Sequence, residues 1–286
     1  MKIGVAGIAG AWSSEHLASC LRERGADASV FSLADVVHDL TSGAVTWRNL
    51  DLRQLDAVVV KKLGDQADGG GHLRLHSLRA LEDGGVRLFS RVDSVDRAMD
   101  RYRMTMILAA AGLPVPETIA VETPEAIATA VGRLGESVLK PVFTSKGRGM
   151  VRVNSPAEAE AARDIGTRYL VQRFVAAPGR DIGAAVVGGR FLGAFYRVAS
   201  AGEWMTTTAA GGRYAACHLT AKGIAYAERA AHEFQLDYTV VDLVEQSDDF
   251  LIYEVSAFGG FRGLLESAGL DAAGAYADYV MRTLGG

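Results

Sequence analysis

Residues 238–258 read YTVVDLVEQSDDFLIYEVSAF. Two β-type runs, rich in Val, Ile, Leu, Tyr and Phe, meet at Ser247-Asp248-Asp249, a composition that favours a tight turn. A hairpin centred on Asp248 sets Gln246 opposite Phe250, Val244 opposite Ile252 and Asp242 opposite Glu254. Side chains change face at every residue, so Asp242, Glu254 and Ser256 project from one side. Like charges directly opposite on paired strands destabilise a sheet unless something compensates them. A divalent cation would do so, because hard oxygen ligands suit magnesium bridging phosphates. A solvated face, or an arginine brought in from elsewhere, would do so as well.

Two stretches upstream carry related chemistry. In VLKPVFTSKGRGMVRV, residues 138–153, an apolar strand ends at Lys140, and a loop with Gly147 and Gly149 joins it to Met150–Val153. Glycines let backbone N–H groups approach a phosphate closely, while Lys140, Lys146 and Arg148 supply positive charge. The spacing is not that of a GxxxxGK[ST] P-loop, and a plain hairpin tip would also contain Gly and Lys. In YLVQRFV, residues 169–175, a strand leads to Pro178-Gly179-Arg180-Asp181. Free backbone groups at such a strand end can pair with an adenine edge, and the following carboxylate can hold ribose hydroxyls. An ordinary domain crossover would look the same.

The rest of the chain alternates in an orderly way. KIGVAGI, residues 2–8, reads as a buried strand, followed by a helix near 13–24 that stops at Gly25. Further strands at Ala28–Phe31 and Ala57–Val60 predict a small parallel α/β domain to about residue 92. Gly4, Gly7 and Gly10 do not spell the GxGxxG dinucleotide fingerprint. Residues 65–72, DQADGGGH, read as a loop, and a long helix is expected near 94–111. Strands at 117–121, 137–140, 151–154 and 169–174 then alternate with helices near 124–134 and 156–165. After Pro178-Gly179 the pattern becomes hairpins, with Gly188-Gly189 a strong two-residue turn signal between 181–187 and 190–198. Helices near 221–234 and 271–284 flank the opening hairpin. The fold class is therefore α/β in three parts, 1–92, 93–175 and 176–286, the order of a nucleotide clamp.

Composition excludes several alternatives. A formal charge of −4 offers no broad basic field for nucleic acid, and no apolar run of about 18 residues predicts a membrane span. The glycine-broken N-terminus reads as a first strand and not as a signal peptide. Cys20 and Cys217 cannot build a disulfide framework or a zinc site on their own, and a reducing cytoplasm suits them. Neither sits where a nucleophile would be expected. His72 and His76, without an HExxH pattern, read as a chance pair on a solvated helix.

Taken in order, AMDRYRMTMILAAAGLPVPET, VLKPVFTSKGRGM, YLVQRFV, RDIGAAVVGGR, FYRVA, VVDLV and YEVSAFGGFRG resemble ATP-grasp enzymes, most closely the RimK-like glutamate ligases. The resemblance runs from about Ser90 to the end of the sequence, and more loosely through the first domain. It implies an ATP-grasp fold and an ATP-dependent ligase that joins a carboxylate to an amine through an acylphosphate. By position it implies that Lys140 contacts ATP phosphates, with residues 144–149, including Lys146, Gly147 and Gly149, as a flap. Gln172, Arg173, Phe174 and Val175 match the adenine hinge, with backbone groups of Arg173 and Val175 on the base. Asp181 matches the ribose acid, and Arg197 an arginine beside the transferred phosphate. Asp242, Glu254 and Ser256 match the ligands of Mg2+, for which Mn2+ could substitute.

The departures from the family pattern concern substrates. Arg101 stands where a lysine is usual, Gly183 where an arginine is usual, and Met205-Thr206-Thr207 where Arg-Ser-Asn is frequent. Ser256 replaces an asparagine ligand. Together with the aromatic SAFGGF loop, these changes point away from the ribosomal-protein modifier and toward ligases that add glutamate to a small one-carbon carrier. The expected partners are an amino acid and a carboxylate acceptor, with no nucleic acid and no membrane; assembly into a homo-oligomer is compatible with this. Another amino-acid or dipeptide ligase, or an ATP-binding module without catalysis, are the alternative readings.

Overall fold

The computed structural model describes residues 1–64, 70–142, 148–162, 168–207 and 210–285. It opens with β1 (Lys2–Ala6), α1 (Trp12–Glu23) and β2 (Asp27–Phe31). A small antiparallel sheet follows that the sequence reading did not anticipate: β3 (Val36–Asp39), β4 (Ala44–Trp47) and β5 (Leu50–Asp51). Next come β6 (Ala57–Val60), α2 (Gly71–Asp83) and β7 (Arg87–Phe89). The main sheet of this part is parallel throughout, in the order β2-β1-β6-β7. Residues 65–69 of the expected loop lie outside the described residues, whereas Gly71 and His72 already belong to α2.

The single helix expected near 94–111 is two helices, α3 (Val92–Met99) and α4 (Arg101–Ala110). Asp100 divides them. Its backbone is extended, at φ −88° and ψ 105°, and its carboxylate accepts the N–H groups of Tyr102 and Arg103. A capping aspartate ends one helix by starting the next, and so puts Arg101 at the first position of α4.

A second sheet is built from β8 (Thr118–Val121), β9 (Ser137–Pro141), β10 (Val151–Val153) and β11 (Tyr169–Arg173), in the order β10-β9-β11-β8. Its helices are α5 (Pro124–Leu134) and α6 (Pro156–Ala162). Thr123 caps α5, Pro124 fits its first turn, and Gly135 at φ 74° ends it. The third sheet contains β12 (Arg180–Val187), β13 (Arg190–Val198), β14 (Arg213–Ala216), β15 (Tyr238–Gln246) and β16 (Asp249–Ser256). It is antiparallel, in the order β14-β13-β12-β15-β16. Helix α7 (Ala221–Phe234) precedes β15, and α8 (Arg262–Ala268) and α9 (Ala272–Gly285) follow β16. Among the described residues no helix is long and apolar enough to cross a membrane.

Packing divides the expected central part. Met104 and Leu108 of α4 join Ile182, Ala184, Val241 and Phe234 in the core on the α7 side of the third sheet. The second sheet has a separate core of Ile127, Val131, Leu139, Val153 and Val171. The span 93–175 is thus shared among three cores, since Val95 of α3 packs with Val58 and Leu88 of the first sheet, and α3 and α4 lie away from the sheet that follows them. The first sheet is not independent either, because Val5, Leu17 and Phe89 share a core with Phe195, Val240, Phe261 and Tyr276. Lys61, at the end of β6, is 2% exposed and donates to the carbonyl of Gly259, with its ammonium 4.0 Å from the Phe261 ring centre. Burial pushes its pKa well down.

Gly183 marks a tight spot in the third sheet. It pairs with Phe195, and a Cβ there would lie 2.4 Å from the Phe195 ring, so the position expected to hold an arginine has no room for one. Overpacking of this kind costs about 1–3 kcal/mol. Gly183→Ala should therefore lower the melting temperature, and Phe195→Leu in the same chain should restore most of the loss, as read by thermal denaturation.

Candidate active site

The expected pairing of Asp242 with Glu254 is present, reached by a different route. The turn is tighter than expected: Gln246 pairs with Asp249, Glu245 with Phe250 and Val244 with Leu251, around a two-residue turn with Ser247 at φ 51°. The register then shifts by one between Asp242 and Leu243, which leaves Tyr253 as the extra residue of a bulge. Shorter turn and bulge offset each other, so Asp242 still faces Glu254 and Val240 faces Ser256. A bulge re-aims side chains locally. Here the Tyr253 ring centre lies 5.0 Å from the Lys140 ammonium.

One face of the third sheet carries two kinds of residue. Toward one end Val240, Phe195 and Ala185 pack on the first sheet. Toward the other, Asp181, Arg197, Asp242 and Glu254 gather. Asp181 pairs with Arg197 across β12 and β13, and Gly183 pairs with Asp242 across β12 and β15. Arg197 Nε and Nη2 each donate to Asp181 at 2.8 Å, and Nη2 also lies 2.8 Å from Asp242 Oδ2. Asp181 Oδ2 accepts from Thr206 as well, at 2.9 Å. Burial opposes the charge on Arg197, but Asp242 and Asp181 hold its pKa well above the ordinary value. Asp242 Oδ1 is buried and has no hydrogen-bond partner among the described residues. Burial pushes the Asp242 carboxyl up; Arg197 opposes this, and the neighbouring charges of Asp181 and Glu254 reinforce it.

Lys140 reaches this face from the second sheet. Its ammonium donates to Gln172 Oε1, and Gln172 Nε2 donates to Thr118 at 2.9 Å. Burial and the nearby Arg101 lower the Lys140 pKa to about 8, against the pull of Glu254 and Asp242. Arg101 is buried, donates to the Pro141 carbonyl at 2.7 Å, and feels the charge of Glu254. Lys140 from the second sheet and Arg101 from the start of α4 thus meet two carboxylates of the third sheet.

The hinge residues divide their duties. The Arg173 side chain turns away to Glu117, 2.6 Å distant, and its N–H donates to the Glu117 carbonyl at 2.8 Å. Phe174 N–H donates to the Glu136 carbonyl, and its ring meets Trp204 edge-on at 6.3 Å. The Arg173 N–H is therefore already engaged, whereas the Val175 N–H has no partner among the described residues. Gly149 sits at φ 69° close to Pro141. Lys146 and Gly147 lie outside the described residues. Thr118 and Tyr253 escaped the sequence reading, which took Thr206 only as part of a neutral stretch and not as a partner of Asp181, and only the bulge, which has no sequence signature here, would have revealed Tyr253. A surface cleft of about 430 Å³ lined by Arg190, Phe191, Asp278 and Arg282 contains none of these groups.

A family model of the RimK-like ATP-grasp domain matches residues 98–280. The tetrahydromethanopterin:alpha-L-glutamate ligase of Methanosarcina acetivorans is 34% identical over 82% of this chain and 79% of its own length. Among solved structures, a RimK-domain ATP-grasp protein from Sphaerobacter thermophilus superposes with a TM-score of 0.79, at 22% identity, over 98% of this chain and 99% of that one. The ATP-grasp ligase PsnB, complexed with minimal precursor, Mg and ADP, gives 0.74 at 19% identity over 99% of this chain and 98% of its own.

The site makes a prediction about pH. A carboxyl whose folded-state pKa is raised contributes stability at low pH that is lost as pH rises through that pKa. The metal-free protein should therefore lose stability as pH climbs above the ordinary carboxylate range, and Asp242→Asn should flatten that loss. Denaturant melts across pH, in the presence of a chelator, read the difference.

Proposed function

This chain belongs to the RimK-like ATP-grasp family and is an ATP-dependent ligase, and we propose that it adds glutamate, or another amino acid, to a carboxylate of a small cofactor-like acceptor. The observation that carries the site is the opposed pair Asp242 and Glu254, facing Lys140 and Arg101 across the junction of two sheets. A buried carboxylate oxygen without a donor, Asp242 Oδ1, fits a hard cation. Asp242 and Glu254 would hold Mg2+, with Ser256 beside them and Mn2+ a workable substitute. The ion would neutralise charge on the phosphates.

The remaining roles follow from position and charge. Lys140, steadied by Gln172, would contact the ATP phosphates together with Arg101 and the flap that holds Lys146, Gly147 and Gly149. Val175 N–H and the Arg173 carbonyl would meet the adenine edge between Gln172 and Phe174. Asp181 would hold the ribose on lone pairs that Arg197 and Thr206 leave open, while anchoring Arg197 beside the transferred phosphoryl group. The substrate carboxylate attacks the γ-phosphorus of ATP and ADP leaves; the amine then attacks the acylphosphate carbon and phosphate leaves. Such chemistry needs positioning and charge stabilisation and no enzyme nucleophile. The three-part division 1–92, 93–175 and 176–286 is part of this proposal as the approximate order of the clamp.

The relative named for tetrahydromethanopterin supports a small acceptor, as does the neutral character of Met205-Thr206-Thr207 and Gly183. ADP release measured across a panel of amino acids and carboxylate acceptors tests the reading. Turnover should need both partners and should be greatest with glutamate on a small acceptor; ATP binding with no ADP release for any pair of partners would favour an ATP-binding module instead.

Three substitutions test the site. Lys140→Ala should weaken binding of a non-hydrolysable ATP analogue by about ten-fold or more, because a charge-assisted phosphate contact is lost; calorimetry measures this. Asp242→Asn or Glu254→Gln should abolish ADP release while leaving metal-free melting unchanged or slightly raised. Lowered melting with retained turnover would instead make the pair a structural partner of Arg197.

A further inference from the structure

Helices α1 and α9 meet along a line of polar groups. His16 and Cys20 on α1, and Arg24 at its C-terminal cap, follow one another at four-residue spacing and so lie along one side. Arg24 forms a two-point pair with Asp278, at 2.7 and 3.0 Å. One turn away the chemistry changes. His16 Nε2 lies 3.0 Å from Asp271 Oδ1, and Cys20 Sγ lies 3.7 Å from Asp271 Oδ2 and 4.0 Å from His16 Nε2. One ligand atom from each residue falls within 4.8 Å of the others. Sulfur, nitrogen and oxygen ligands of a tetrahedral zinc ion, at about 2.3, 2.0 and 2.0 Å, stand about 3.3–3.6 Å apart. The three side chains need only small movements to reach that arrangement.

The surroundings hold these groups in place. Asp271 Oδ1 accepts the Ala273 N–H at 3.1 Å, which fixes the carboxylate at the start of α9. The His16 ring stacks on Trp12, 4.9 Å between centres and 17° from parallel, and the Arg262 guanidinium lies 4.8 Å from the same indole. Cys20 is 2% exposed at the base of the cluster, while the His16 and Asp271 side chains remain 29% and 40% exposed. That leaves an approach from solvent and a fourth position for water. Thiolate and imidazole select a borderline or soft ion over magnesium.

We propose that His16, Cys20 and Asp271 bind a zinc-class divalent ion, closing the first helix of the chain onto the last. The site is separate from the one around Asp242, and the proposal does not rest on the ligase reading. Burial and the Asp271 charge push the Cys20 thiol up to about 11, so binding must displace its proton.

Cobalt reports such a site, because thiolate ligation gives a charge-transfer band in the near ultraviolet. After chelator treatment, titration of the full chain with Co2+ should produce the band at one equivalent, with release of a proton. Cys20→Ser and His16→Ala should lose it, and Asp242→Asn should retain it. Zn2+ should raise the melting temperature of the unaltered protein by several degrees, a shift that Cys20→Ser abolishes. Absence of the band in the unaltered protein, its persistence in Cys20→Ser, its loss in Asp242→Asn, or an equal Zn2+ shift in both proteins would each overturn the proposal.

Discussion

Arg197 lies between Asp181 and Asp242, within 2.8 Å of each. Three carboxylates, Glu254 included, share one sheltered face, and a face of that kind cannot persist without a counter-charge in the same low-dielectric space. One guanidinium supplies it for two of them. Its planar fork reaches across from β13 to β12 and β15, which a point charge on a flexible stem would do less well. The remaining charge, and the oxygen of Asp242 that Arg197 does not reach, define what else the face can accept.

The same sheet explains how the site comes to be where it is. Its α7 side is apolar at Ile182, Ala184, Val241 and Leu243 and ends in the Arg180–Glu245 ion pair, and its other side is apolar where the first sheet covers it. The polar half is left facing Lys140 and Arg101, both held by the chain that surrounds them. The capping of α4 by Asp100 contributes directly, since it fixes Arg101 at a helix start beside Pro141. Local helix chemistry, sheet register and cross-sheet packing therefore converge on one junction.

Much of this was legible in the sequence, for physical reasons. Alternation along 238–258 fixes which side chains share a face within each strand, while the turn and any bulge decide which faces of the two strands coincide; the ordered motifs identify the ATP-grasp family independently. The details that escaped are those in which two local effects offset each other or in which partners are distant. The shorter turn and the bulge at Tyr253 cancel in register, so Asp242 and Glu254 were paired correctly while Val244 and Gln246 were not. The break at Asp100 was hidden because a good cap inside an apolar pattern looks like an exposed helix residue. Arg197 could be named from the family pattern, but its hold on Asp242 depends on strands far apart in sequence. Cys20 was weighed without His16 and Asp271, the latter distant along the chain.

The offset in the hairpin also bears on how this chain tolerates change in length. Because one residue is missing from the expected turn and one is added at Tyr253, the strand between them, from Asp249 to Ile252, runs one step out of phase with the strand beyond. A deletion at Tyr253 would bring the two into a single phase and leave the pairs as they are, Ile252 on Leu243 and Glu254 on Asp242, with loss of the ring beside Lys140. A deletion at Ser247-Asp248 would instead leave too short a turn, so that the strand from Asp249 to Ile252 must slip by one residue and turn its side chains to the opposite side of the sheet. Loss of one residue should therefore be tolerated at the bulge far better than at the turn.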